Sequence, residues 1–95
     1  MCYNTNRKEV NEMRKQIIII DEENHGTIGA ATSYAAAKRY IIEEGWLTEM
    51  DDVYHDHKLM NVKELFGENW KERVIEQDND WFDGMFYFRE MDLAE

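Results

Sequence analysis

Four consecutive isoleucines at residues 17–20 form the longest uninterrupted apolar run in the chain. β-branched side chains fit a pleated sheet, and a run without polar alternation predicts burial on both faces. Residues 16–21 are therefore predicted to form a central strand. The acids that follow, together with His25 and Gly26, predict a turn over residues 21–26. Residues 27–32 are predicted to pair back as a second strand, although Gly29 and the alanines weaken this pattern.

A helix is predicted over residues 34–44. Ser33 is a good N-cap for it, and Gly45 supplies a C-terminal stop. Apolar side chains recur at helical spacing along one face, and Lys38 and Arg39 are expected to lie partly opposite that face.

The second half of the chain predicts shorter elements. Residues 52–60 carry enough β-branched and aromatic character around Val53 and Tyr54 to predict one short exposed strand. Asn61 is predicted to cap a helical turn over residues 62–66, which ends at Gly67.

A longer amphipathic helix is predicted from residue 68 to Gly84, because large side chains recur there at steps of three and four. These side chains are Trp70, Val74, Gln77 and Trp81. The aromatic run at residues 85–89 predicts a final strand, either central or next to the first. The order of elements predicts an α+β fold: a small, mostly antiparallel sheet with two helices packed on one face. This single domain is predicted to cover residues 16–95, behind a flexible N-terminal tail at residues 1–15.

The charge balance bears on the partners of the protein. Of the 95 residues, 21 are acidic and 11 are basic, which gives a formal net charge of −10. Residues 1–15 hold four bases and two acids, so the other 80 residues hold 19 acids and 7 bases. Nucleic acid and anionic membranes attract the opposite sign and are disfavoured as direct ligands. A basic nucleic-acid-binding protein is the favoured partner, unless the acids only confer solubility.

Features of the whole chain indicate the compartment. Cys2 is the only cysteine, so no intramolecular disulfide can form. No apolar run approaches the roughly 20 residues that span a bilayer, and the N-terminus has no signal-peptide core. The sequence therefore predicts a protein of the reducing cytoplasm of a host cell, with its oligomeric state left open.

Catalysis is not indicated. Adjacent carboxylates occur at residues 43–44 and 51–52, but general acid–base chemistry needs a cleft that separates the pKa values of such groups. These pairs lie in hydrophilic runs. No phosphate-binding glycine loop and no nucleophile motif is present. The protein is predicted not to be an enzyme and to need no cofactor.

Three histidines offer an alternative chemistry. His55 and His57 are two residues apart, and on a strand such residues share one face, so both imidazoles could reach one metal ion. His25, or one of Asp51 and Asp52, is a candidate third ligand. Zinc bound by His25, His55 and His57 is thus an alternative hypothesis. The competing interpretation is that His55 and His57 are ordinary surface histidines.

The acids near the end of the first helix are the candidates for partner binding, together with the tryptophan most expected to be exposed. This set is Glu43, Glu44, Trp46, Glu49, Asp51, Asp52 and Asp56. A second acidic row follows the predicted later helix, at Glu68, Glu72, Glu76, Asp80 and Asp83. Its spacing of about 6 Å is close to that of phosphates along a nucleic-acid strand. That spacing suits a mimic of DNA, and a solvated helix face is the alternative.

Four segments carry a resemblance to known proteins: residues 16–31, 33–35, 45–47 and 84–90. Over most of residues 16–90 the chain resembles small uncharacterised phage and mobile-element proteins. In size, acidity and lack of a catalytic motif it also resembles anti-CRISPR proteins, a functional class with no shared fold. Many of those block a type II CRISPR nuclease, some as DNA mimics that cover the arginines reading the PAM.

The resemblance implies a non-catalytic inhibitor of phage origin that binds a basic nucleic-acid-binding protein. A CRISPR effector nuclease is the favoured target, and DNA mimicry is one mode of inhibition. The zinc module above is the main alternative. A structural or regulatory phage protein that self-associates through an edge strand is a further one.

Overall fold

The computed structural model describes residues 15–93, so the predicted tail at residues 1–15 lies outside the described residues except for Lys15. The strands in this range are β1 (Lys15–Glu22), β2 (Gly26–Ala31), β3 (Asp52–His55), β4 (Lys58–Asn61) and β5 (Phe86–Leu93). The helices are α1 (Tyr34–Glu43), α2 (Val62–Phe66) and α3 (Trp70–Ile75), with 3-10 turns at Gly67–Asn69 and Asn79–Phe82. The predicted α+β class with antiparallel sheets is confirmed.

β1 is the central strand of a three-stranded antiparallel sheet in the order β2-β1-β5. The position predicted from the isoleucine run is therefore confirmed, as is the position of β5 beside it. β5 pairs with β1 along its whole length, from Lys15 opposite Leu93 to Glu22 opposite Phe86. The turn after β1 consequently lies next to the start of β5, and the Glu23 N–H donates to the Met85 carbonyl at 2.9 Å.

One face of this sheet carries the core. Ile18 and Ile20 of β1 are buried there in one cluster with Ala37 and Ile41 of α1 and Val74 of α3. The helices of the described chain thus pack on one side of β1, because β1 presents alternate side chains to opposite faces.

The opposite face is more open than the isoleucine run predicted. Ile17 and Ile19 are only half-buried, and they lie opposite Met91 and Arg89 in the β1–β5 register. The expectation of burial on both faces is wrong for this strand, since the helices of residues 15–93 pack on the Ile18 side.

Helix α1 forms as predicted. The Ser33 hydroxyl oxygen accepts a hydrogen bond from the Ala36 N–H at 3.1 Å, and Gly45 follows the helix at a φ of 82°. The Trp46 backbone N–H then donates to the Ile41 carbonyl at 2.9 Å, which places Trp46 just beyond the helix end. Capping and a left-handed glycine are the usual local causes of such boundaries.

Lys38 was expected to lie partly opposite the packed face of α1. It is instead buried, with only 7% of its surface exposed. Its ammonium group donates to the Gln77 carbonyl at 2.6 Å and lies 5.6 Å from the centre of the Phe82 ring. Burial lowers the pKa of Lys38, and the nearby Asp78 carboxylate opposes that shift. Its stem covers apolar surface while its head finds a backbone acceptor, a common behaviour of long basic side chains.

Residues 52–60 form a hairpin, not the single strand that was predicted. β3 and β4 pair in register from Asp52 opposite Asn61 to His55 opposite Lys58. The turn between them is made by Asp56 and His57, at φ values of 53° and 63°. The composition did not reveal this turn, because the glycine or asparagine typical of two-residue hairpin loops is absent.

The helix predicted from residue 68 to Gly84 is interrupted. α3 ends at Ile75, residues 76–78 turn away, and a 3-10 turn carries Trp81 and Phe82 back into contact with the core. Aspartate and asparagine at residues 78–80 favour turns over helix interiors, and Lys38 binds the Gln77 carbonyl at the break. No helix between residues 15 and 93 is long and apolar enough to cross a membrane.

Candidate functional site

A cleft of about 230 Å³ lies where the β1–β2 turn, the loop after α1 and the start of β5 meet. It is called the acidic cleft below. Its lining residues are Glu22, Glu23, Asn24, Trp46, Leu47, Asp51, Asp52, Gly84, Met85 and Phe86. Four of these are carboxylates, and none is lysine or arginine. The cleft therefore concentrates negative charge in a concave surface, where low-dielectric walls strengthen the local field.

Glu22 is held by its own turn. Its Oε1 accepts a hydrogen bond from the Asn24 N–H at 2.9 Å and contacts His25 Nδ1 at 2.7 Å. The contact with His25 is the main reason that the pKa of the Glu22 carboxyl lies below its ordinary value. Glu22 is therefore ionised at neutral pH.

Glu23 is oriented by β5. Its Oε1 accepts a hydrogen bond from the Tyr87 hydroxyl at 2.8 Å, and the same hydroxyl oxygen accepts one from the Gly84 N–H at 3.1 Å. The hydrogen bond to Glu23 raises the pKa of Tyr87, so the hydroxyl remains protonated and Glu23 remains the acceptor. Both glutamates thus have fixed partners at one side of the cleft.

Asp51 and Asp52 form the other side. Asp51 Oδ2 accepts from the Thr48 N–H at 2.7 Å, and the Asp51 carbonyl accepts from the Val62 N–H at 2.9 Å. These bonds tie the loop to the start of α2. Asp52 opens β3 and is exposed. Asp51 therefore has a structural role beside its charge, whereas the Asp52 side chain is free to meet a partner.

Trp46 gives the acidic cleft an aromatic wall. Its ring is half-buried and meets the His25 ring edge-on, with centroids 5.2 Å apart and planes at 66°. An indole of this kind, apolar in body but open to solvent at one side, is common at binding surfaces.

The structure brings together three of the seven predicted partner-binding residues. Trp46, Asp51 and Asp52 line the acidic cleft, whereas Glu43, Glu44, Glu49 and Asp56 do not. Glu43 lines a separate groove between α1 and α3 with Arg39 and Lys71, and Glu44 is the C-cap of α1. Glu49 lies 3.7 Å from Lys63 Nζ, and Asp56 is in the hairpin turn.

Glu22 and Glu23 were missed as site residues. Their only sequence signal is a run of acids directly after the central strand, which also suits an ordinary solvated turn. They reach the cleft because β1 pairs with β5 over its full length, and that pairing joins residues more than 60 apart in sequence. Sequence spacing does not carry such information.

A second groove, of about 360 Å³, continues from the acidic cleft along the β3–β4 hairpin. It is called the hairpin groove below. Its lining residues are Asp52, Val53, Tyr54, Leu59, Trp81, Asp83, Gly84 and Met85. Asp52, Gly84 and Met85 line both cavities, so the two form one continuous surface with an acidic part and a more apolar part.

The predicted placement of His55 and His57 on one strand face is wrong, because His57 lies in the hairpin turn. His55 Nε2 lies 3.5 Å from Asp56 Oδ2, while His25 is bound to Glu22. Among residues 15–93 no group of three histidine, cysteine, aspartate or glutamate side chains is placed to hold a metal ion. A stable zinc site usually takes four ligands, or three and a water.

The second acidic row does not follow one helix. Glu72 lies on α3, but Glu68 precedes the helix in a 3-10 turn and contacts Lys63 Nζ at 3.5 Å. Asp80 and Asp83 follow the break after α3. The regular spacing expected for a phosphate-like row is therefore absent from these residues.

The acidic cleft has the chemistry of a binding site for cationic groups. Its carboxylates accept hydrogen bonds from lysine and arginine, and the face of the Trp46 ring attracts a cation. The lowered pKa of Glu22 is the opposite of what a general acid needs at neutral pH. Comparisons with protein-family models, curated proteins and solved structures found no significant match to this chain. No residue role is therefore carried over from another protein.

Proposed function

We propose that this protein is a non-catalytic inhibitor that binds a basic nucleic-acid-binding protein through the acidic cleft. The observation that carries the proposal is the meeting of four carboxylates in one cleft without a lysine or arginine among its lining residues. Isolated surface acids confer solubility wherever they lie, whereas acids in a concave site recognise cations.

The charge of the whole chain supports the same kind of partner. A net charge of −10 repels nucleic acid and speeds encounter with a positively charged surface. A protein groove that normally holds DNA or RNA is such a surface. Occupying it excludes the nucleic acid, and this is inhibition without chemistry.

The favoured target is a CRISPR effector nuclease of type II, with the protein acting as a phage-derived inhibitor. Such a nuclease reads its PAM with arginines and holds its nucleic acids in a basic channel. Mimicry of DNA would then rest on the acidic cleft, since the phosphate-spaced row along one helix is not formed. Arginines that enter the cleft would meet carboxylates on two sides and the Trp46 ring beside them.

The test is charge reversal in the acidic cleft. Glu23→Lys with Asp52→Lys changes two cleft carboxylates and leaves Asp51 to hold its loop. We expect affinity for the guide-loaded nuclease to fall at least about tenfold, mainly through slower association. Biolayer interferometry over increasing NaCl, with and without a PAM-containing duplex as competitor, measures this.

The matched control makes the same charge change outside the cleft, as Glu43→Lys with Glu44→Lys. A clearly smaller loss is expected there. Equal losses for the two double variants would place the effect in the overall charge and not in the cleft. Binding that ignores both variants and the salt concentration would show the proposal to be wrong. If the nuclease is not bound but another basic nucleic-acid-binding protein is, only the choice of target fails.

A further inference from the structure

The β3–β4 hairpin exposes apolar side chains that do not pack in the core. Tyr54 is 75% exposed and Leu59 is 55% exposed, and the two lie directly opposite each other in the register. Neighbouring positions point to the other face of the hairpin, where Val53 is buried in the core. Folding therefore accounts for the Val53 side, and the Tyr54 side is left to solvent.

This apolar pair does not stand alone. It lines the hairpin groove together with Trp81 and Met85, both of which are half-buried. Single exposed apolar residues are normal on protein surfaces, but a cluster that lines a concave groove marks an interaction site. Met50, 68% exposed, lies in the loop just before the hairpin and adds to the concentration of apolar surface in this part of the chain.

The charges around the groove select its occupant. Asp52 and Asp83 line it, and no lysine or arginine does. Lys58, at the tip of the hairpin, lies opposite His55, which is on the same side of β3 as Val53. The occupant is thus apolar with positive charge beside it. The net charge of −10 disfavours a second copy of this chain as the occupant.

We propose that the hairpin groove binds an apolar side chain of an extended protein segment, and that a lysine or arginine a few residues away in that segment enters the acidic cleft. This deepens the function proposed above and rests on it. Because Asp52, Gly84 and Met85 line both cavities, the two side chains need be only a few residues apart in an extended segment, which rises about 3.3 Å per residue. The acids would then steer and orient the partner, and the groove would hold its anchor.

The probe is a flexible ten-residue peptide with one tryptophan and, about two residues to either side of it, an arginine, so that all three side chains share a face when the peptide is extended. Two companions replace the tryptophan by serine or the arginines by glutamine. Titration into the ¹⁵N-labelled full chain, followed by NMR, should shift the amide signals of the hairpin and the Trp81 indole signal. We expect each companion to bind at least about tenfold more weakly than the parent peptide. The absence of shifts at millimolar parent peptide, or shifts confined to residues outside the two cavities, would overturn the proposal.

The variant that tests the groove is Tyr54→Thr with Leu59→Thr, which removes both apolar side chains and places strand-favouring β-branched residues at the two positions. Met91→Thr is the matched control, because it also removes an exposed apolar side chain from a strand, 48% exposed, but outside the groove. We expect the hairpin variant to lose at least about tenfold in peptide affinity and the control to lose nothing. Thermal unfolding of both variants confirms that they are folded.

Two outcomes separate this inference from the function on which it rests. If the hairpin variant binds the peptide and the nuclease like the natural chain, while Glu23→Lys with Asp52→Lys weakens nuclease binding, the anchor is wrong and the acidic function stands. If the charge reversals have no effect on the nuclease, the proposed function is wrong. If the glutamine peptide binds as tightly as the parent peptide, the proposed contact between a basic side chain and the acidic cleft is also wrong.

Discussion

Gly29 of β2 lies directly against the Tyr40 side chain of helix α1. A Cβ atom at this position would lie 2.5 Å from Cε2 of the Tyr40 ring. The ring is held in place because the Tyr40 hydroxyl donates to the Ile28 carbonyl at 2.8 Å on the edge strand β2. Glycine usually lowers the stability of a strand. Here it leaves room for the Tyr40 ring, whose hydroxyl donates to a carbonyl of the edge strand.

Gly29→Ala is therefore expected to lower the free energy of unfolding by about 1–3 kcal/mol, the usual cost of overpacking. With Tyr40→Leu the ring is gone, and the added methyl group should cost less than ~0.5 kcal/mol or even stabilise the strand, since alanine loses less backbone entropy than glycine. Urea unfolding of the two single variants and the double variant measures this coupling. An equal cost of Gly29→Ala in both backgrounds would contradict the steric account.

At the scale of an element, helix α1 also carries residues that lower its stability. It ends in Glu43 and Glu44, with no basic residue in its last turn. The last carbonyls of a helix already carry partial negative charge, so these acids reduce its stability. Their placement at this end therefore costs the helix some stability.

Glu44→Lys is accordingly expected to raise the free energy of unfolding by about 0.3–1 kcal/mol at low ionic strength. Glu44→Gln, which removes the charge without reversing it, should give about half that gain, and salt should shrink both. Urea unfolding at two salt concentrations is the measurement. A loss of stability in both variants would show that Glu44 has a favourable local role that outweighs the helix dipole.

Elements with a local cause could be predicted from the sequence. The isoleucine run marked β1, Ser33 and Gly45 marked the ends of α1, and Asn61 forms the expected cap of α2, where its Oδ1 accepts from the Glu64 N–H at 2.8 Å. The β3–β4 hairpin and the break after α3 were not predicted. Asp56-His57 lacks the glycine of the usual two-residue hairpin loops, and Lys38, which binds the Gln77 carbonyl at the break, comes from a distant helix.

The acidic cleft, too, could be predicted from the sequence only in part. Trp46 and Asp51 belong to the loop after α1 and Asp52 follows directly as the first residue of β3, so their closeness in sequence carried over into space. Glu22 and Glu23 joined them only through the β1–β5 register, a long-range pairing that no local pattern encodes. Glu43, Glu44, Glu49 and Asp56 failed to converge because helix end, loop and hairpin turn place each in a different local environment.

At the scale of the whole molecule, the acidic side chains far outnumber the basic ones that could pair with them. In the described part of the chain, the ion pairs of lysine and arginine involve only Lys63 and Arg89. Most of the acids there have no cation within reach, and the full chain has ten more acids than bases. A surplus of this size stores repulsion in the compact state, which unfolding relieves. The arrangement is consistent with a protein whose acids serve a partner.

The melting temperature is therefore expected to rise when NaCl is added at neutral pH from low ionic strength to the physiological range, where the Debye length falls to about 8 Å. Each 1 kcal/mol of relieved repulsion should appear as a rise of roughly 4–8 °C in a domain of this size. NaCl is preferable to sulfate, which stabilises folded proteins through exclusion from the surface. The Glu23→Lys with Asp52→Lys variant should respond less to salt, because it carries less surplus negative charge. A melting temperature that falls with NaCl would show that the few attractive pairs, such as Arg89 with Asp21 at 2.6 Å, outweigh the repulsion, and the acids could then not be regarded as a reserve of binding charge.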